Sequence, residues 1–249
     1  MPLNNTTPPG ALYLIPAPLG ESGLDSIPAA AIAVLHRLEY FIVERAKTAR
    51  HYIKATHPPR ALQELHIVEL AQNSATEDWE ALLAPLRAGH DVGLLSEAGC
   101  PGIADPGAEV VKRAHLHGIQ VVPLAGPSSI VLALMASGMN GQSFCFHGYL
   151  SAKRPELERD LKRLEQSALR LHQTQLFIEA PYRNGQVIET ALKTLSAGTL
   201  FGIACDLTLP EQYVRRLPVS EWRETPPPDL HKRPAVFLIR SEERRVGKE

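Results

Sequence analysis

From residue 12 to residue 138 short apolar runs alternate with stretches of helical apolar spacing, and three of the loops that follow the runs are of unusual composition. Strands that alternate with helices at this spacing leave few folds open, because the intervening helices must cover both faces of one mostly parallel sheet. Leu12–Ile15 reads as a buried strand that Pro16 and Pro18 end. Asp25 or Ser26 can cap a helix with Pro28 in its first turn and Ile27, Ala31, Val34, Leu35 and Leu38 as its apolar stripe. Phe41–Val43 and Ile67–Leu70 are strand-like, and Ser74-x-x-Glu77 is a capping-box pattern before Trp79, Leu82, Leu83 and Leu86. Pro85 should end or kink that helix. Asp91–Ser96 leads into a Gly/Pro-rich loop through Gly107, and a helix follows from Ala108 to His117 with Gly118 as its stop. The strand Val121–Leu124 then runs through Gly126-Pro127-Ser128-Ser129 into a helix ending near Gly138.

The second half differs in its pattern. Ser143–Tyr149 and Thr174–Ile178 read as strands around a helix whose stripe is Leu157, Leu161, Leu164, Ala168 and Leu171. Asn184 can cap a helix bearing Val187, Ile188, Ala191, Leu192 and Leu195. Phe201–Cys205, Gln212–Leu217 and Pro234–Ile239 are further strands, the first two an antiparallel pair. The fold class expected is α/β with two α/β domains. The N-terminal one (1–138) has a mostly parallel sheet with flanking helices, the C-terminal one (139–240) a mixed sheet with helices, and the turn Gly138–Gly141 separates them. Residues 241–249, SEERRVGKE, have no periodicity and read as a disordered or non-native tail.

Composition removes several function classes. No apolar run approaches the roughly 18 residues that span a bilayer, and the N-terminus has no signal-peptide pattern, so a cytoplasmic protein without membrane contact is expected. Three widely spaced cysteines, Cys100, Cys145 and Cys205, suggest neither disulfides nor a metal knuckle. His115-x-His117 lacks partners for a zinc set and reads as helix surface, so no metal is expected. With a net charge of −1 there is no global attraction for nucleic acid. Two local basic clusters stand out: Arg45, Lys47, Arg50 and Lys54, and Lys153, Arg154, Arg159, Lys162 and Arg163. Each reads as a solvated helix face or as an RNA docking surface.

In an open α/β sheet, ligands bind beyond the carboxyl ends of the strands, so the loops that follow strands are where a site is sought. Three have unusual composition: Pro16-Ala-Pro-Leu-Gly20, SEAGCPGIADPG (96–107) and GPSS (126–129). Gly allows close backbone approach, Pro stiffens the loop, and capping serines present hydroxyls and free N–H groups. Any one of these loops read alone is a turn. No G-x-G, no GxxxxGK[ST] phosphate loop and no G-x-S-x-G elbow occurs, which removes the dinucleotide fingerprint and two other common sites.

These three loops, with SFCFHGYL (143–150) and FIEAPYRN (177–184), resemble the tetrapyrrole methylase superfamily, in particular its branch of 16S ribosomal RNA 2′-O-ribose methyltransferases. The likeness runs collinearly from Leu12 to Arg240. It implies a homodimer with S-adenosylmethionine in a cleft between two domains. By position, Pro16, Gly20, Ser96, Glu97, Ala98, Gly99, Pro101, Asp105, Gly126, Ser128 and Ser129 would hold the cofactor, and Phe146, Gly148, Tyr149, Pro181, Tyr182 and Arg183 would close its pocket. The chain departs from the branch where S-D-A-G-T-P becomes Ser96-Glu97-Ala98-Gly99-Cys100-Pro101, E-D-T-R becomes Glu44-Arg45-Ala46-Lys47, and P-H-R becomes Pro181-Tyr182-Arg183.

Methyl transfer from a sulfonium needs alignment and exclusion of water more than covalent chemistry, and a base only for a poor nucleophile such as a hydroxyl. Glu44, Glu97 and Glu179 are the candidate catalytic carboxylates, with Asp105 and Asp206 also near strand ends. For each the alternative is structural: backbone hydrogen bonds for Glu97 and Asp105, a surface pair with Arg45 or Arg50 for Glu44, an ion pair with Arg183 for Glu179. The leading expectation is a methyltransferase acting on structured RNA at a ribose hydroxyl. The alternatives are methylation of a small molecule such as a tetrapyrrole carbon, and a cofactor-binding module without transferase activity.

Overall fold

The computed structural model describes residues 8–70, 76–225 and 227–241. The expected cap at Ser74 and the tail from residue 242 lie outside the described residues. The chain forms two compact units, residues 1–128 and 129–249.

The first unit holds β1 (Leu12–Leu14), α1 (Ala29–Arg37), β2 (Tyr40–Val43), α2 (Ala46–Ala55), β3 (His66–Glu69), α3 (Thr76–Arg87), β4 (Val92–Leu95), α4 (Gly107–Leu116) and β5 (Val121–Pro123). Its sheet has the order β3-β2-β4-β1-β5, and every pairing is parallel. Alternate side chains of the strands enter two cores. Ile15, Phe41, Val43 and Leu95 pack with Ala31 and Leu35 of α1 and Ala49, Tyr52 and Ile53 of α2. Leu12, Ile42, Val92 and Leu94 pack with Leu82, Leu83 and Leu86 of α3 and Val110 and Ala114 of α4. Burying both faces explains why these strands read as continuous apolar runs. Gly93 is needed at the centre, since a Cβ there would stand 2.8 Å from both Ile15 Cδ1 and Phe41 Cδ1.

This topology opens a crevice between β1 and β4. The connection leaving β1 crosses β4 to reach β2, while the one leaving β4 crosses β1 to reach β5. Because α1 and α4 lie in the two different cores, adjacent strands β1 and β4 send their chains to opposite faces and their carboxyl ends are left uncovered.

The second unit holds α5 (Ser129–Ser137), β6 (Phe144–Tyr149), α6 (Arg154–Leu171), β7 (Thr174–Ile178), α7 (Asn184–Thr194), β8 (Leu200–Cys205), β9 (Tyr213–Pro218), α8 (Val219–Glu224) and β10 (Ala235–Arg240). Its mixed sheet runs β6-β7-β10-β8-β9, parallel only between β6 and β7. Leu157, Leu161, Leu164 and Ala168 of α6 join Val187 and Ala191 of α7, Trp222 of α8 and the ring stack Phe177–Phe237–Phe201 in one core.

Local readings needed four corrections. Residues 24–26 form a 3-10 turn in which Ser26 Oγ donates to the Gly23 carbonyl, so neither Asp25 nor Ser26 caps α1, which starts at Ala29 after Pro28. Leu171 leaves the α6 stripe and is 56% exposed, because the helix ends there at His172 in the left-handed conformation. Asn184 does not cap α7: it is the first helical residue, fully buried, and its Nδ2 donates to the Leu230 and Arg233 carbonyls at 2.9 and 2.7 Å. The division between units falls at 128/129 rather than at 138–141, since α5 packs on β8, β9 and β10. Pro85 acts near the end of its helix, which stops at Arg87 two residues later. Helix α2 has only Ala49, Tyr52 and Ile53 as buried residues, too few for its apolar period to stand out.

Candidate functional site

The three unusual loops meet at the crevice between β1 and β4. Ala17 and Gly99 exchange backbone hydrogen bonds at 2.8 and 3.0 Å, which zips the loop after β1 to the loop after β4. Gly126 lies against the Pro16 ring so closely that a Cβ there would overlap it, which joins the loop after β5 to the same edge. The Cys100 thiol donates to the Pro127 carbonyl at 3.4 Å and closes the circle. Burial pushes that thiol's pKa up, so it is a packed neutral group. Tyr52 OH donates to the Pro16 carbonyl at 3.0 Å from within the core, and burial pushes its pKa up to about 12.

A cavity of about 170 Å³ opens beside this knot. Pro18, Leu19 and Gly20 form one wall, Ser96, Glu97 and Ala98 a second, and α2 a third through Thr48, Tyr52 and Ala55. The sequence reading missed the α2 wall, although the spacing 48, 52, 55 of one helix edge was there to be found.

Three carboxylates gather near the loop after β4, of which Glu97 lines the cavity. Glu44, just after β2, accepts the Glu97 N–H at 3.0 Å. Partial burial raises the Glu44 pKa, opposed by that hydrogen bond and reinforced by the charges of Glu97 and Asp105. Glu97 itself is held by Arg45 Nε at 3.3 Å and by Thr48 Oγ1 at 3.3 Å. Asp105 is turned into its own loop, accepting Gly102 N–H at 2.9 and 3.0 Å and Gly107 N–H at 2.6 Å at the start of α4. Burial raises its pKa despite those bonds. Its loop is tightly wound: Gly99, Gly102 and Ala104 have φ of 73°, 84° and 60°, and only the two glycines adopt this without strain. Ser96 Oγ donates to the Ala98 carbonyl, and Pro101 is buried under the loop.

The remaining candidates, Ser128 apart, belong to the second unit. Ser129 opens α5, while Ser128 is the last residue of the first unit. Phe146, Gly148 and Tyr149 lie along the last residues of β6, where the register against β7 is broken and Gly148 has φ 65°. Glu179, at the end of β7, is buried and forms an ion pair with Arg183 Nη2 at 3.3 Å, which also donates to the Ser151 carbonyl. Pro181 and Arg183 flank Tyr182, which is 66% exposed. Asp206 does not join either group of loops; it pins Arg233 at 2.6 Å. His117 pairs with Glu80 rather than with His115, and no group of three potential metal ligands occurs among the described residues.

The family model of the tetrapyrrole (corrin/porphyrin) methylases matches residues 11–222, from the first strand through α8. The chain belongs to this family. As a family member it is a methyltransferase, and its knot of loops falls within the matched span. The ribosomal RNA small subunit methyltransferase I of Vibrio cholerae is 31% identical over 224 residues, which cover 88% of this chain and 73% of that protein. The enzyme of the same name from Escherichia coli O157:H7 is 30% identical over 85% of this chain and 70% of its own length. Among solved structures the methyltransferase CobJ superposes with a TM-score of 0.62 at 20% identity, covering 96% of this chain and 97% of that one. The cobalt precorrin-4 methyltransferase CbiF gives 0.60 at 14% identity over 92% and 94%. Both therefore share the methylase fold described above.

Proposed function

We propose that this methyltransferase transfers the methyl group of S-adenosylmethionine to a ribose hydroxyl of small-subunit ribosomal RNA. The observation that carries the reading is the interlocking of the loops after β1, β4 and β5 at the carboxyl ends of the parallel strands, beside a cavity that the first two of these loops line. The ribosomal RNA names of relatives 30–31% identical over most of the chain favour RNA over a tetrapyrrole as acceptor.

The residues fit the cofactor. Leu19, Leu24 and Ala49 offer apolar wall, the Ser96–Ala98 segment lines the opening, and the Glu97 carboxylate suits a cationic sulfonium. S-adenosylmethionine supplies a methyl group on a good leaving group, so no covalent intermediate with the protein is needed. Pro16, Gly20, Ser96–Gly99, Pro101, Gly126 and Ser128 hold it in this reading, and Asp105 acts by fixing the loop. Ser129, Phe146, Gly148, Tyr149, Pro181, Tyr182 and Arg183 are assigned to the cofactor by the family resemblance alone. A ribose hydroxyl is a poor nucleophile and needs a base. Glu44 takes that role, because it accepts the N–H of the cavity-lining Glu97 at 3.0 Å and partial burial raises its pKa, which makes it more basic than an ordinary carboxylate. Glu179, bound to Arg183, keeps a structural role. The enzyme works in this reading as a homodimer in the cytoplasm, where ribosomal RNA is found.

The test is transfer of labelled methyl from S-adenosylmethionine to small ribosomal subunits from cells lacking the gene. Label that nuclease releases as a 2′-O-methylated nucleotide is the expected result. Label in a small tetrapyrrole, or cofactor binding with no transfer to any fraction, would overturn the reading.

A further inference from the structure

We infer that one face of helix α2 is the docking surface for the phosphate backbone of the RNA acceptor, and that the basic cluster on α6 is not. This deepens the proposed function and rests on it. Residues 8–128 contain nine Lys and Arg side chains. Arg37, Arg45, Arg60, Arg87, Lys112 and Arg113 each pair with a carboxylate. The three left without a carboxylate partner among the described residues are Lys47, Arg50 and Lys54, all exposed and all on α2. At 100° per residue these three fall within an arc of about 60° and span about 10 Å of helix axis.

The rest of α2 turns that arc into a rim. Ala49, Tyr52 and Ile53 are buried against the sheet, while Thr48, Tyr52 and Ala55 form a wall of the cavity. His51 lines the cavity as well and lies between that wall and the cations on the helix surface. The sequence AKTARHYIKA contains no acidic residue, so nothing on the helix neutralises the charge. A polyanion lying along the arc would thus be brought to the edge of the cavity.

Helix α6 is different in kind. It carries five cations against four acids, and most of the cluster is already engaged. Lys153 pairs with Glu156 at 3.9 Å, Arg154 with Glu189 at 2.7 Å and Arg163 with Asp160 at 3.1 Å, while Arg159 donates to its own helix at Pro155. Such a surface is solvated by its own counter-charges and gains little from phosphate.

The experiment compares wild-type protein with the α2 variant Lys47→Glu/Arg50→Glu/Lys54→Glu and the α6 variant Arg159→Glu/Lys162→Glu. Binding to a fluorescent transcript of small-subunit ribosomal RNA is titrated across a salt series, and S-adenosylmethionine affinity is measured by calorimetry as a check on folding. For the α2 variant, affinity at 0.1 M salt falls at least about tenfold and the log–log salt slope shrinks by roughly 2–3, that is 0.7–0.9 per lost phosphate contact. Cofactor affinity stays as in wild type, and the α6 variant keeps both affinity and slope. Wild-type RNA binding with an unchanged α2 variant, or an equal loss in the α6 variant, overturns the assignment of the surface alone. A wild-type protein that binds no RNA, or an α2 variant that loses binding to the polycarboxylate uroporphyrin instead, overturns the RNA reading and this inference with it.

Discussion

Replacing Gly126 by Ala tests whether the knot of loops is what makes the site. The only atom group in the way of a Cβ at this position is the Pro16 ring, which the methyl would overlap. Carbon atoms in contact stand about 3.5–4.0 Å apart, so one loop must retreat by at least about 1 Å. Neither side yields easily. Pro16 is a rigid ring, its carbonyl is tied to Tyr52, its neighbour Ala17 is bonded to Gly99, and Pro127 beside Gly126 accepts from Cys100. Forcing such a contact costs about 1–3 kcal/mol of stability. Displacing binding groups by about 1 Å can cost up to about a hundredfold in function, so cofactor affinity should drop at least about tenfold, or roughly 1.4 kcal/mol. Urea unfolding gives the first quantity and calorimetric titration with S-adenosylmethionine the second. Gly185→Ala is the control: its Cβ would meet nothing within 4 Å and it lies in the first turn of α7, so the change should leave affinity intact and add up to about 1 kcal/mol of stability. Wild-type cofactor affinity in the Gly126→Ala protein would show that the contact between the loops after β1 and β5 does not shape the site.

Three further outcomes are expected. Glu44→Gln should lower kcat by about 10²–10⁴, the range of a lost general base. In the wild-type enzyme only ionised Glu44 acts. Since partial burial raises its pKa, activity should fail on acidification at a higher pH than an ordinary carboxylate would give, and a profile with no acid limb above that range would count against the role. Asn184→Ala removes both hydrogen bonds to the Leu230 and Arg233 carbonyls from inside the core, and should cost about 2–3 kcal/mol in urea unfolding without altering S-adenosylmethionine affinity.

Much of this protein is written locally. Short apolar runs followed by loops that must turn sharply mark strands, most clearly the fully buried β4, so β1, β4 and β5 and the loops at 16–20, 96–107 and 126–129 are legible from residue type alone. The α/β class follows from their alternation with helices, and the motif set places the chain among the tetrapyrrole methylases. Residue type could not say which partner each polar side chain would choose. Asn184 has the composition of a cap but bonds two carbonyls more than 45 residues away. Asp105 and Glu44 look alike in sequence, yet one closes on its own loop and the other holds the Glu97 amide. The basic clusters on α2 and α6 were equivalent as strings of Lys and Arg, and only the packing showed that cations of α6 pair with acids while Lys47, Arg50 and Lys54 of α2 pair with none among the described residues. The strand order had the same origin: inserting β4 between β1 and β2 opens the crevice, and that order depends on pairings across 50 to 80 residues. Local preference is set by neighbours in the chain, whereas hydrogen bonds and ion pairs are set by neighbours in space.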